Sequence, residues 1–296
     1  YSFNGTDSDM TLWRYNSNGT LDTSFNATGY VSHDNAAGGA GNDRGNALAI
    51  DADGKIVIAG YSSNGADFDM ALWRYNSNGT LDTNTVHHNA AGGAGSDIAR
   101  AVAVDANAKI VVAGFSFNGS SNDMSLWRYN SNMTLDTGFN TTGYARHNSA
   151  AGGNGIDEAE SLLIDANAEI LVAGFSFNGS DEDIALWRDN SNGTLDTGFN
   201  TVGYLTHDNA AGGNGNDEGK SLALDKRSRI ILGGYSTSPT GKDMALWRYD
   251  DGGTLDTSFN GIGYLSHDSA AGGFGDDTGN AVALDASENI VIAGRS

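Results

Sequence analysis

Hydrophobic and polar positions along the chain follow strand periods. Ala47 to Asp51 alternates small and large residues, Ala47 and Ala49 against Leu48 and Ile50. Lys55 to Ser62 is nearly continuous in β-branched residues (Ile56, Val57, Ile58), the pattern of a strand buried on both faces. The turn Asp51-Ala52-Asp53-Gly54 joins the two as a hairpin. A third strand carries Met70, Leu72 and Trp73, and a short fourth strand runs as in Tyr30 to His33. No stretch has a convincing helical period.

The four-strand pattern recurs. Leu-Trp-Arg places a tryptophan at Trp13, Trp73, Trp127, Trp187 and Trp247, at intervals of 60, 54, 60 and 60 residues. Leu-Asp-Thr follows at Leu21, Leu81, Leu135, Leu195 and Leu255, then Ala-Ala-Gly-Gly from Ala36, Ala90, Ala150, Ala210 and Ala270. The second unit is six residues short, between Thr83 and His87. Repeats 1–60, 61–114, 115–174, 175–234 and 235–294 therefore predict one all-β domain over 1–296, a five-bladed β-propeller of four-stranded blades. A linear solenoid would need atypical capping repeats, and none is visible. The last blade is expected to be shared: Asn289 to Ser296 ends a second strand, and Asp9 to Asn16 with Tyr30 to His33 supply the remaining two. That sharing would close the ring and remove exposed sheet edges.

At Asp53-Gly54-Lys55-Ile56-Val57-Ile58-Ala59-Gly60, Ala71-Leu72-Trp73-Arg74-Tyr75-Asn76 and Gly79-Thr80-Leu81-Asp82-Thr83 the chain resembles the bacterial delta-60 repeat family. The resemblance covers essentially the whole chain, five times over. It implies a propeller-like module of exported or cell-surface proteins with no established activity. The hairpin proline usual in that family is missing, and later turns read Asp105-Ala106-Asn107-Ala108 and Asp225-Lys226-Arg227-Ser228.

Composition narrows the partners. With 37 acidic and 16 basic residues the net charge is −21, which repels phosphate backbones and anionic lipid, so nucleic acid and membrane insertion are disfavoured. Cysteine is absent, which excludes disulfides and thiolate chemistry. The chain opens at Tyr1 without a signal-peptide pattern, compatible with a processed, exported product; an extracellular or cell-surface location is expected. Among 42 glycines there is one proline, Pro239; such a composition alone would suit a disordered chain, but five spaced strand sets oppose that.

Candidate chemistry is mostly five-fold. Gly-Gly-x-Gly-x-Asp ends at Asp43, Asp97, Asp157, Asp217 and Asp277, like one unit of a calcium-binding β-roll. The copies are too far apart to share ions, so these aspartates are either caps on Gly-rich turns or ligands of a structural Ca²⁺ to which Asp9, Asp69, Asp123, Asp183 and Asp243 add. No cofactor is required. His33, His87, His147, His207 and His267 sit on the outermost strand, too dispersed for one ion, and read as packing; His88 is a lone extra. The tryptophans pack between blades or line sugar-binding clefts, and the adjacent arginines pair with repeat carboxylates such as Asp22. Nine Asn-x-Ser/Thr sequons, at Asn4, Asn18, Asn26, Asn78, Asn118, Asn132, Asn140, Asn178 and Asn192, fall in predicted loops and are candidate glycosylation sites.

Symmetry breakers are the better guide to a unique contact. Lys226, Arg227 and Arg229, with Pro239 and Lys242 in the next loop, form a basic spot that could dock a protein partner or a second copy. Because Ser, His and Asp each recur five-fold, no unique catalytic constellation stands out. The sequence reads as a non-catalytic extracellular scaffold, with a lectin-like carbohydrate binder as the alternative. A hydrolase or lyase is the weaker third reading, since it requires a unique polar cluster.

Overall fold

Each repeat folds into the antiparallel meander its hydrophobic pattern dictates. The computed structural model describes residues 1–272 and 275–296, and among them every regular element is a strand. Six antiparallel sheets form. The first contains β1 (Ser2–Phe3), β2 (Ser8–Trp13) and β3 (Tyr30–His33). Four sheets are complete: β4 (Asp43–Ile50), β5 (Ile56–Ser63), β6 (Phe68–Tyr75) and β7 (Leu81–His87); β8 (Asp97–Val104), β9 (Ile110–Phe117), β10 (Asn122–Tyr129) and β11 (Tyr144–His147); β12 (Asp157–Ile164), β13 (Ile170–Phe177), β14 (Glu182–Asp189) and β15 (Tyr204–His207); β16 (Glu218–Leu224), β17 (Ile230–Ser238), β18 (Gly241–Tyr249) and β19 (Tyr264–His267). The last pairs β20 (Thr278–Leu284) with β21 (Ile290–Arg295).

The expected shared blade is two separate sheets. β21 pairs with β20 alone. On β2, Ser2↔Asp9 and Phe3↔Ser8 reproduce the register Ser62↔Asp69 and Ser63↔Phe68 of the second sheet. Ser2 and Phe3 thus occupy the edge that the C-terminal strand was expected to fill.

The chain groups into two compact units, Tyr1–Ser120 with Ser125–Arg146, and Ser121–Met124 with His147–Ser296. The first has cores around Met10, Phe25 and Trp73, and around Val57, Val112 and Trp127. The second has cores around Leu171, Phe199 and Trp247, and around Ile231, Leu246 and Val282.

A β-bulge interrupts the first strand of all five repeats that have one. The register slips between Gly45 and Ala47, Ala99 and Ala101, Ala159 and Ser161, Gly219 and Ser221, and Gly279 and Ala281. The extra residues are Asn46, Arg100, Glu160, Lys220 and Asn280. A bulge re-aims its side chain and needs room on the partner strand. Glycine supplies that room. A Cβ on Gly174 or Gly234 would lie 1.9 Å from the carbonyl oxygen of Glu158 or Glu218.

Two further devices come directly from repeated residues. In the hairpin turn, Asp51 Oδ1 accepts the Asp53 and Lys55 N–H groups at 3.0 and 2.8 Å. Asp105 and Asp225 do the same, so the turn survives with Ala108 and Ser228 in the left-handed region, at φ 58° and 61°. Three of the arginines that follow a tryptophan, Arg14, Arg74 and Arg188, are inter-repeat staples. Arg188 pairs through Nη2 with Asp196 at 2.6 Å, lies 4.8 Å from the Phe199 ring centre, and donates Nη1 to the Asp251 carbonyl at 2.6 Å. Arg14 likewise holds Asp22 and the Ser77 carbonyl, and Arg74 holds Asp82 and the Ser131 carbonyl.

The six-residue deletion has a local consequence. In four repeats the Leu of Leu-Asp-Thr makes an isolated bridge and a turn follows before the fourth strand. In the second repeat the turn is gone and Leu81 runs straight into β7.

Candidate functional site

Residues that repeat five-fold are committed to the scaffold. Asp43, Asp97, Asp157, Asp217 and Asp277 are buried, and their Oδ2 atoms accept the N–H of Asn35, Asn89, Ser149, Asn209 and Ser269 at 2.8–3.1 Å. Burial raises the first four carboxyls, Asp217 to about 6, whereas the Ser296 hydroxyl lowers Asp277. In the fifth motif copy, Gly273 and Phe274 lie outside the described residues. Among the described residues, two other groups bring three metal-donor atoms within 4.8 Å: Asp67, Asp69 and His88, and Asp165, Glu169 and Asp251. The second of these already holds the Arg188 guanidinium.

Trp73, Trp127, Trp187 and Trp247 have no exposed surface, so they cannot stack on a sugar from solvent; Trp13 is exposed. His33 and His207 meet Trp73 and Trp247 edge-on, each at 6.1 Å, and His87 meets Trp127 at 6.3 Å. Of the basic spot, the Lys226 side chain reaches the Ala286 carbonyl and Arg229 pairs with Asp225 and Asp256, while Arg227 is exposed. The sequon asparagines brace their own loops. Asn4 and Asn178 donate to Asp7 and Asp9 and to Asp181 and Asp183, and Asn118 accepts the Ser120 N–H. Asn18, Asn78, Asn132 and Asn192 each accept from the threonine two residues on, and Asn26 and Asn140 donate to the carbonyls of Tyr30 and Tyr144.

Positions that vary between repeats behave differently. Where other repeats carry Arg44, Ile98 and Thr278, the third and fourth have Glu158 and Glu218; the bulge residues are Glu160 and Lys220; and the first residue of β14 is Glu182, against Ser8, Phe68, Asn122 and Lys242. The second unit brings these together. The Asp217 N–H donates to the Glu182 carbonyl at 2.7 Å, pinning the start of β14 beside β16. Asn216 Nδ2 then donates to Glu182 Oε2 at 2.7 Å. Asn122 Nδ2 donates to Glu158 Oε1, also at 2.7 Å. Re-aimed by its bulge, Lys220 pairs with Glu218 and reaches Glu160 at 3.4 Å. The Tyr235 hydroxyl donates to Glu218 Oε1, and the Lys242 ammonium sits 3.8 Å from the Tyr235 ring centre.

The electrostatics single out one carboxyl. Burial, then the charges of Glu218 and Glu158, push Glu182 from 4.5 to about 7 against the pull of Lys220 and Lys242. Burial works against the Lys220 ammonium, yet Glu160 and Glu218 outweigh it and raise its pKa. Burial and the bond to Glu218 raise the Tyr235 phenol. At neutral pH Glu182 is therefore poised to give or take a proton beside a carboxylate held by a lysine and a tyrosine.

A second symmetry breaker is Asp189, at the place of Tyr15, Tyr75, Tyr129 and Tyr249. It has no exposed surface, its Oδ1 lies 3.1 Å from His147 Nε2, and its Oδ2 has no partner. No unique catalytic constellation stands out in the sequence; the fold contains this asymmetric pair as well as the glutamate cluster.

No curated protein matches the chain at a significant level. Among solved structures it is similar to a gluconolactonase of Xanthomonas campestris, at 15% identity over 83% of this chain and 68% of that one, with a TM-score of 0.41. An exo-1,5-α-L-arabinanase from a bovine ruminal metagenomic library gives 12%, 83%, 95% and 0.44 for the same measures. A polysaccharide lyase, an ulvan lyase, gives 10%, 75%, 54% and 0.42. These neighbours are named as enzymes, against the expectation of a non-catalytic, non-enzymatic scaffold. The family described as the domain of unknown function (DUF5122) beta-propeller matches residues 1–25, 52–84, 107–139, 169–199 and 228–259, one segment around each tryptophan and just over half of the chain. The chain belongs to the DUF5122 beta-propeller family.

Proposed function

We propose that this protein is a hydrolase of glycosidic bonds that works by acid–base catalysis in the second unit. The observation that carries the reading is the cluster itself: at positions where the repeats diverge, a glutamate raised to about 7 lies beside a carboxylate held by a lysine and a tyrosine. Two carboxyls in unequal environments are the working parts of most glycoside hydrolases. Glu182 donates its proton to the departing sugar oxygen. Glu218 takes a proton from the attacking water, and Lys220 and Tyr235 hold it in place. The hydroxide bonds to the anomeric carbon as the bond to the leaving oxygen breaks, and a proton passes back to Glu182 through solvent. Asn122 and Asn216 offer amide groups that suit sugar hydroxyls. A net charge of −21 favours neutral saccharides over polyanionic ones.

Within the family we read the five repeats as five blades of the delta-60 type, in a protein that meets its polysaccharide outside the cell. The test is release of aryl alcohol from a panel of neutral aryl glycosides. Wild-type protein should show an alkaline limb near pH 7, and Glu182→Gln and Glu218→Gln should each lose about 10²–10⁴-fold in rate. No turnover above background across the panel, or full activity in Glu182→Gln, refutes the assignment.

A further inference from the structure

The second repeat departs from the other four on the loop after its fourth strand. His88 stands where they have Asp34, Asn148, Asp208 and Asp268. Its Nδ1 is 2.8 Å from Asp69 Oδ1 and 3.7 Å from Asp97 Oδ2. With a carboxylate oxygen of Asp67, the three donors of Asp67, Asp69 and His88 lie within 4.8 Å of one another. They are held in advance: Asn64 Nδ2 donates to both Asp67 and Asp69, and its Oδ1 accepts the N–H groups of Ala66 and Asp67. Behind them, Asp97 has no exposed surface; its Oδ2 accepts the Asn89 N–H at 2.9 Å and its Oδ1 has no partner. The same Oδ1 lacks a partner in Asp43, Asp157 and Asp277, so it belongs to the repeat; what sets this pocket apart is the imidazole nitrogen of His88 beside two carboxylates.

We propose that this pocket in the first unit binds one divalent transition-metal ion of the zinc–cobalt class, with His88 Nδ1, Asp69 and Asp67 as ligands and the Asp97 carboxylate facing them from the interior. Three protein donors and an imidazole 39% exposed leave room for solvent on the ion. The nitrogen selects the metal: imidazole with carboxylates suits Zn²⁺ and Co²⁺, whereas Ca²⁺ takes oxygen alone. The corresponding residues Asp9 with Asp34 and Asp183 with Asp208 offer only oxygen.

The experiment titrates metal-free protein with CoCl₂, followed by visible absorption and calorimetry. One Co²⁺ per chain should bind, be displaced by Zn²⁺ and resist excess Ca²⁺. His88→Asn, which installs the residue the third repeat carries, should weaken binding by about tenfold or more. Asp9→Asn, at the counterpart of Asp69, should leave it unchanged. Matching urea midpoints for both variants and the wild type show that they fold. No cobalt band, several equivalent ions per chain, equal displacement by Ca²⁺, or unchanged affinity in His88→Asn each overturns the assignment.

Discussion

Replacing Glu182 by glutamine should stabilise the protein by an amount that grows from about pH 4.5 and is complete only above neutral pH. The folded chain holds this carboxyl near 7 and the unfolded chain at 4.5. Below pH 4.5 both states keep the proton and the group is silent. Between 4.5 and 7 the unfolded chain releases it while the folded chain retains it, so unfolding gains with each pH unit. Above 7 both are ionised and the cost is constant, about 3 kcal/mol at full weight. Glu182 is only partly buried, and solvent screening brings the figure to about 1–2 kcal/mol. Glutamine keeps an oxygen for Asn216 and carries no charge against Glu218 and Glu158. Urea unfolding followed by tryptophan fluorescence should show the variant about 1–2 kcal/mol more stable at pH 8 and equal to wild type at pH 4.5. A catalytic acid kept at the expense of stability behaves in this way. Lower stability of the variant at pH 8, or the same difference at both pH values, would make Glu182 a member of an ordinary ion network and refute the reasoning.

Gly234→Ala puts a methyl 1.9 Å from the Glu218 carbonyl oxygen, so the bulge that aims Lys220 must open. It should cost about 3 kcal/mol in urea unfolding, and a loss under about 0.5 kcal/mol would show that the glycine is not required there. His147→Ala strands the buried Asp189 carboxylate and should cost about 3 kcal/mol at pH 7. The same truncation at His207, which packs on Trp247 and Tyr264, should cost about 1–2 kcal/mol; equal losses would mean that the Asp189 pairing is energetically empty.

The scaffold was legible because its residues recur. Trp73, Trp127, Trp187 and Trp247, the pairing of Arg14 with Asp22, and the hairpin aspartates sit where the repeat placed them. The glutamate cluster was missed for the complementary reason. Glu160, Glu182 and Lys220 are single departures at varying positions and Glu158 and Glu218 share one, so none of them belongs to the five-fold pattern. Aligning the five repeats on one another and asking which columns diverge would have exposed them, along with Asp189. The bulge was harder to read, because no residue type marks it; its trace is a glycine such as Gly174 or Gly234, late in a strand otherwise crowded with large residues. The expected sharing of the last blade failed because strand periodicity does not say which neighbour claims an edge, and Ser2–Phe3 claim that of β2.

The arginine staples tie the melting of one repeat to that of the next. Arg188 belongs to the fourth repeat, yet the carbonyl it grips, Asp251, lies in the fifth. Fraying one meander therefore slackens the turn of its successor, as toppling one domino unsettles another. Amide protons in such turns should exchange at the pace of two adjacent repeats together, giving each unit a coarser grain of motion than its short strands suggest.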